Sequence, residues 1–404
     1  MIKFALRRNL IYVLQYIIWN LFRTLLIMFI EGYFKFSRSF LYTQLMFLGE
    51  LLAGVIMYFS QRKYNEKKKE ENKDKYFMSI KLITSEEDVD DHFVPMDGKA
   101  KILFLIFLIS LMDVVEFMLC INFIPRFFGL SKSLCTRLFG IATIFSFFFY
   151  VYALKLPVYK HHKFSLLIIS ICLITIIVTE FIFQKIDIFT SYKSLSIAIT
   201  YIILSQIFWS YMYSIEKYLF EYDYMNPFVV LMYEGLFGLI LAFLILIEHN
   251  YFYDIIPIYK NNSKGKFVLF IFVLILYIIL SGGKNLFRVV TTKIYSPMVT
   301  TLQDYVLNPI YLLYYFGAHN DFKKDKELDI PYFVINIIIS LIISFFGCVY
   351  NEFIILFFCG LERDTHDQIS KRASVKLGDT PTELFKVEES SEYTSSFETN
   401  SSIK

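Results

Sequence analysis

The stretch FVLFIFVLILYIILSGGKNLFR, residues 267–288, is apolar almost without interruption up to Ser281. A helix needs about 20 apolar residues to cross the hydrocarbon core of a bilayer, so this stretch predicts a transmembrane helix. Each span must be helical, because only hydrogen bonds within the segment satisfy its backbone in lipid without a closed barrel. Ten such stretches predict an all-α polytopic membrane protein with spans at 9–30, 39–60, 102–122, 133–153, 164–183, 194–214, 228–247, 267–288, 297–317 and 332–358.

The composition agrees with this fold class. Hydrophobic residues make up 56% of the chain and charged residues 19%, which is unusual for a soluble globular domain. The net charge of +3 is too small to indicate nucleic-acid binding.

The ten spans fall into two sets of five, and matching spans share a pattern. Glu50 and Gly54 in the second span repeat as Glu234 and Gly238 in the seventh. A spacing of four residues places the carboxyl and a close-packing glycine on one helix face. Since five is an odd number, the two sets must be inverted relative to each other in the membrane. The predicted organisation is an N-terminal segment 1–8, repeats 9–183 and 194–358, a loop 61–101 within the first repeat, and a tail 359–404.

Two predicted hairpins place opposite charges at similar depth. Glu116 and Arg137 lie on consecutive spans of the first set, and Lys284 and Asp304 on consecutive spans of the second. Charge in hydrocarbon is costly, so we expect each hairpin to close an ion pair. Such a pair either fixes helix packing or gates a solute pathway, and the sequence leaves both interpretations open.

Further polar residues are candidates for a solute pathway. Thr300, Asp304 and Asn308 recur every four residues and form a polar stripe on the ninth span, facing either a cavity or another helix. The other pathway candidates are Glu50, Asp113, Gln206, Glu234 and Lys284.

The sequence shows no nucleophile–base arrangement, phosphate-binding loop or metal-ligand spacing, so we expect neither an enzyme nor a cofactor. His161 and His162 lie beside Lys160 and Lys163, and we expect them in a solvated turn.

Basic residues predict the orientation. Lys and Arg are more frequent in the segments that face inward when both termini are cytoplasmic. Asn261 then falls in an outward loop as a glycosylation candidate, and Ser374 in the tail is a phosphorylation candidate. The loop 61–101 and the tail are rich in charge and are predicted to be disordered.

The segment from Gln206 to Gly238 resembles the drug/metabolite transporter superfamily, in particular the F-type branch of solute carrier family 35. The resemblance rests on Gln206, the Glu216-Lys217-Tyr218 run, Asn226-Pro227 and residues 233–238. It implies ten helices in an inverted five-plus-five repeat and transport of nucleotide-sugar-like solutes.

Two functions follow as hypotheses. The first is a secondary transporter that carries a small organic, anionic or nucleotide-sugar-like solute across an endomembrane such as Golgi, lysosome or vacuole by alternating access. The alternative is a non-transporting membrane protein that acts through partners bound to its cytoplasmic loop and tail. The expected partners are a small-molecule solute and the lipid bilayer, with a homodimer left open.

Overall fold

The computed structural model is built of long helices, and the part of the chain that it describes has gaps. The described residues are 2–4, 10–34, 36, 39–71, 96–117, 138, 140–152, 158–183, 192–246, 259, 264–295, 299, 307, 309–310, 313, 326–357, 360–361, 365 and 368.

Within these ranges the structure has nine helices and two short strands. The helices are α1 (Leu10–Phe34), α2 (Ser39–Glu71), α3 (Met96–Phe117), α4 (Gly140–Tyr152), α5 (Lys160–Phe183), α6 (Tyr192–Glu221), α7 (Pro227–Leu246), α8 (Lys264–Ile294) and α9 (Lys326–Tyr350). The strands β1 (Ile2–Phe4) and β2 (Ile354–Leu356) pair in antiparallel fashion, with Ile2 opposite Leu356.

Six described helices, α1, α2, α5, α7, α8 and α9, are long and apolar enough to cross a membrane. They indicate a multi-pass membrane protein. Helix α4 is apolar but has only 13 residues within the described range. Most of the predicted span 297–317 lies outside the described residues, so ten spans and the inverted repeat stay predictions.

The chain divides into two compact units. The larger comprises residues 7–157 and 168–347, and the smaller comprises residues 1–6, 158–167 and 348–404. The smaller unit holds the strand pair and the first turns of α5.

Helix α7 shows how local sequence sets an element boundary. Asn226 precedes the helix, and its side-chain Oδ1 accepts a hydrogen bond from the Phe228 N–H at 2.9 Å. Proline at the first helical position has no N–H to leave unsatisfied and already has a helical φ. Asn226-Pro227 is therefore a helix start, with the asparagine as its cap.

The end of α9 differs from the sequence prediction. The tenth span was expected to reach residue 358, but α9 ends at Tyr350. The Phe353 N–H donates to the Cys348 carbonyl (2.9 Å) and the Glu352 N–H to the Val349 carbonyl (3.1 Å). This is the hydrogen-bond pattern of a Schellman cap, in which the residue after the helix has a positive φ. Glu352 occupies that position with φ 56°, a conformation that costs a residue with a Cβ about 1–2 kcal/mol.

Helix α2 packs closely against both α7 and α8. A Cβ built on Gly54 would lie 2.7 Å from the Met232 backbone nitrogen, and one on Gly235 would lie 2.9 Å from Leu51 Cα. On the α8 side, a Cβ on Gly49 would lie 2.9 Å from the Gly282 nitrogen. Helices in lipid associate mainly through such close backbone approach and through polar contacts. The predicted close-packing role of Gly54 is confirmed, and a Cβ on Gly238 would overlap the Phe47 ring.

Two apolar clusters surround these contacts. One joins α1, α2 and α8 through aromatic side chains, including Phe34, Tyr42 and Phe270. The other joins α3, α4, α6, α7 and α8 around Trp209 and Tyr213. Both lie in the larger unit and include residues of α8.

Candidate functional site

One face of α8 is polar and buried. The helix carries polar residues at intervals of three, one, three and three positions, and all are buried: Ser281, Lys284, Asn285, Arg288 and Thr291. Because an α-helix turns once every 3.6 residues, these positions lie along one face. This face places two basic side chains, Lys284 and Arg288, and the Asn285 amide between the helices of the larger unit.

Arg288 joins three helices. Its Nη2 donates to both carboxylate oxygens of Glu234 on α7, at 2.7 and 2.8 Å, and its Nη1 donates to Glu216 on α6. The two glutamate side chains are fully buried and the Arg288 side chain is 3% exposed. Bonds between a guanidinium and carboxylates are about twice as strong as neutral ones and fix geometry as well as distance. Arg288 also lies over the Tyr213 ring, 5.6 Å from its centroid.

The neighbouring turn of α8 contacts α2 and α1. The Asn285 side-chain amide donates to Glu50 Oε1 on α2. The Lys284 ammonium lies 5.7 Å from the centroid of the Tyr16 ring on α1, within range of a cation–π interaction.

Three carboxyl groups meet at this place. Glu50 from α2, Asp113 from α3 and Glu234 from α7 each present an oxygen within 4.8 Å of the others, and all three are buried. We call the whole group the charged core, and its members are Glu50, Asp113, Glu216, Glu234, Lys284, Asn285 and Arg288.

The charged core holds more acids than bases. It has four carboxyl groups and two buried basic side chains, so full ionisation would leave two excess negative charges. Arg23 on α1 is partly buried nearby and acts electrostatically on Asp113, which still leaves one excess negative charge. Uncompensated charge is costly in apolar surroundings. The core therefore favours the uptake of protons or of a cationic group.

The structure brings together four of the predicted pathway residues: Glu50, Asp113, Glu234 and Lys284. Gln206 is buried on α6, where its amide lies 3.3 Å from the Ser205 hydroxyl. Glu116 is buried near the end of α3. Six predicted residues lie outside the described part of the chain: Arg137, Asn261, Thr300, Asp304, Asn308 and Ser374. The pairs Glu116–Arg137 and Lys284–Asp304 therefore stay predictions.

Sequence reasoning missed Glu216, Asn285 and Arg288 as site residues. The predicted sixth and eighth spans ended at residues 214 and 288, which assigned Glu216 and Arg288 to the membrane edge. In the structure α6 continues to Glu221 and α8 to Ile294, so both side chains lie well inside helices. The recurrence of polar residues on α8 every three or four positions is the signal that would have identified Arg288.

The expectation of a solvated turn at His161 and His162 is wrong for His161. Its residue exposure is 2%, and His162 is half-buried.

No protein-family model matches this chain, and the comparison with curated proteins gave no significant match.

Proposed function

We propose that the protein is a secondary transporter of a small organic solute, and that the charged core lines its pathway. The observation that carries the proposal is that side chains from five helices, α2, α3, α6, α7 and α8, meet in a protein whose described part includes six helices long and apolar enough to cross a membrane. Ionisable residues at such positions are expensive, and they commonly mark solute or proton pathways.

A purely structural role accounts less well for the charged core. A buried ion pair can often be replaced by apolar residues without loss of stability, so packing alone gives little reason to keep so many charges. Arg288 satisfies Glu216 and Glu234, but Glu50 and Asp113 add further acidity beside them. Glu50 Oε1 accepts from Asn285, whereas its buried Oε2 has no hydrogen-bond partner among the described residues. An acid in this position is available to bind a proton or a cationic group.

The balance of acidic and basic groups in the charged core also indicates the charge of the solute. The excess of carboxyl groups favours a cationic solute, or a neutral solute carried with protons, over the anionic solute expected from the sequence alone. Residues from this core belong to the segment that resembles solute carrier family 35, namely Glu216 and Glu234. Nucleotide sugars, which that resemblance implies, therefore stay in the set of solutes to be tested.

The orientation and the membrane are part of the proposal. The distribution of Lys and Arg supports cytoplasmic termini. We place the protein in an endomembrane, where an acidic lumen would supply the proton gradient that the core can use.

Uptake by proteoliposomes tests the proposal. Purified full-length protein is reconstituted, a pH gradient and a membrane potential are imposed separately, and uptake is measured for labelled amines, nucleosides, nucleotide sugars and organic acids. We expect saturable uptake of a cationic or neutral solute that a protonophore abolishes.

Two variants on one helix sharpen the test. Glu50→Gln keeps an oxygen for Asn285 but removes the ionisable group, and it should abolish gradient-driven uptake. Glu71→Gln, at the far end of α2, should leave uptake unchanged. The proposal fails if no solute class is taken up under either gradient. It also fails if Glu50→Gln, like the control Glu71→Gln, transports as well as the wild type.

A further inference from the structure

A second cluster of ionisable side chains lies in the smaller unit, apart from the charged core. It consists of His161 and His162 in the first turn of α5 and Glu352 in the turn after α9. The His161 side chain is 3% exposed and that of Glu352 is 10% exposed. Each of the three residues offers one ligand atom within 4.8 Å of the other two.

The spacing fits a tetrahedral metal ion. His161 Nε2 and Glu352 Oε1 are 3.3 Å apart, and the two imidazole centroids are 4.1 Å apart. Zinc binds nitrogen and oxygen ligands at about 2.0–2.2 Å in a tetrahedron, whose ligand atoms then lie roughly 3.3–3.5 Å from one another. The observed separation of the two atoms is that of neighbouring zinc ligands.

His161 lacks the hydrogen bonds that a buried imidazole normally makes. Both of its ring nitrogens are buried, and neither has a hydrogen-bond partner among the described residues, although Glu352 lies beside Nε2. Buried polar atoms are nearly always satisfied by protein, water or an ion. A metal at Nε2 would satisfy this nitrogen directly.

The backbone conformation at Glu352 also indicates that its side chain has a role in this cluster. Its positive φ is the conformation at which a helix cap favours glycine, because glycine has no Cβ. A glutamate at this position is strained unless its side chain makes a compensating contact. The carboxylate of Glu352 makes that contact at His161.

Aromatic rings hold the two imidazoles. The Tyr350 ring stacks on His162 with centroids 4.5 Å apart, and Tyr159 lies parallel to His161 at 6.0 Å. The Tyr159 N–H donates to His162 Nδ1 at 3.4 Å, which is long for a hydrogen bond.

We propose that His161, His162 and Glu352 form a site for a divalent transition metal, with Zn²⁺ the best match. Two imidazoles and one carboxylate suit zinc better than the oxygen-preferring cations Ca²⁺ and Mg²⁺. With three protein ligands the fourth position is open to water. The metal would link the start of α5 to the end of α9 within the smaller unit. This site is independent of the proposed transport function.

Metal titration of the full-length protein tests the site. The protein is purified in detergent without a histidine tag, stripped with a chelator, and titrated with Co²⁺ and then Zn²⁺. We expect one Co²⁺ per chain, with the intense visible bands of four-coordinate Co²⁺, and displacement by Zn²⁺. Absence of these bands, or binding without the expected stoichiometry, would overturn the proposal.

Variants separate metal binding from a simple His161–Glu352 ion pair. His161→Gln, His162→Gln and Glu352→Gln should each weaken Co²⁺ binding by more than the roughly 10–100-fold that loss of an outer-shell partner costs. His92→Gln, between α2 and α3 in the sequence, is the control for binding by other histidines and should bind like the wild type.

The variant Glu352→Gly tests whether a loss of metal binding is caused by misfolding. Glycine relieves the strained turn, so this variant should elute as a folded protein and melt no lower than the metal-free wild type. It should nevertheless lose the rise in melting temperature that Zn²⁺ gives the wild type. If Glu352→Gly or His161→Gln binds Co²⁺ as tightly as the wild type, the assignment is wrong.

Discussion

Replacing Arg288 with methionine is the most informative perturbation of the charged core. Methionine keeps an unbranched apolar side chain but is shorter and has no charge, so the change leaves Glu216 and Glu234 buried without the guanidinium that joins them. We expect a large loss of stability, because three helices lose their shared ionic contact.

The structure allows the loss to be estimated. Arg288 makes three charge-assisted hydrogen bonds, two to Glu234 and one to Glu216. Removing one partner from a buried ion pair typically costs about 3–5 kcal/mol. At about 1.4 kcal/mol for each power of ten, the ratio of folded to unfolded protein should fall by roughly two to four powers of ten.

The two tryptophans provide the assay. Trp209 belongs to the apolar cluster around α6, and the Trp19 ring occupies the space beside Gly283 on α8. Unfolding in dodecyl maltoside micelles with increasing SDS can therefore be followed by tryptophan fluorescence. Lys264→Met, at an exposed cation of the same helix, should change the unfolding free energy by less than about 1 kcal/mol.

A compensated variant completes the test. Adding Glu216→Gln and Glu234→Gln to Arg288→Met removes the unpaired charges, so most of the lost stability should return. The transport proposed above should be lost in both variants. If Arg288→Met unfolds at the same SDS fraction as the wild type, the ionic contact does not hold these helices together and our account of the core is wrong.

Three further predictions follow from other contacts. Gly235→Leu should prevent folding or strongly lower the yield, because its Cβ would overlap the backbone of Leu51. Gly265→Ala should be harmless, because no atom lies within 4 Å of a Cβ at that position. Size-exclusion profiles of the two variants check both expectations. Glu50→Gln should leave the SDS midpoint near that of the wild type, and the solute exchange that remains without a gradient should lose its dependence on pH, measured across a pH series. A tag inserted at Ser263 should be protected from protease in sealed cytoplasmic-side-out vesicles, and its cleavage there would reverse the proposed orientation.

The sequence predicted those parts of the site that depend on local spacing. Glu50 and Glu234 were identified because a glycine four residues later marks a closely packed helix face, and that pattern is visible in one helix at a time. Lys284 and Asp113 stood out because charge is rare in apolar stretches. These residues do meet in the structure.

The partners of these residues could not be predicted in the same way. Arg288 bonds to Glu216 and Glu234, which lie 72 and 54 positions away, and no local pattern specifies such a pairing. The end of α9 was misplaced because the apolar residues beyond Tyr350 continue in a strand rather than a helix. His161 was misjudged because its charged neighbours in the sequence suggested solvent, whereas Glu352, almost 200 positions later, lies against it.

The glycine contacts of α2 restrict how this protein can change shape. Gly49 touches α8 and Gly54 touches α7 with no side chain between the backbones, so α2 cannot slide lengthwise past either neighbour without a clash. A side chain at a helix contact can change rotamer and let the neighbouring helix move, but the backbone atoms of a helix cannot move aside in this way. In the transport cycle proposed above, we therefore expect α2, α7 and α8 to move as one rigid block. Access to the charged core from the two sides of the membrane would then be controlled by helices that rotate around this block, and crosslinks within it should leave such a cycle intact.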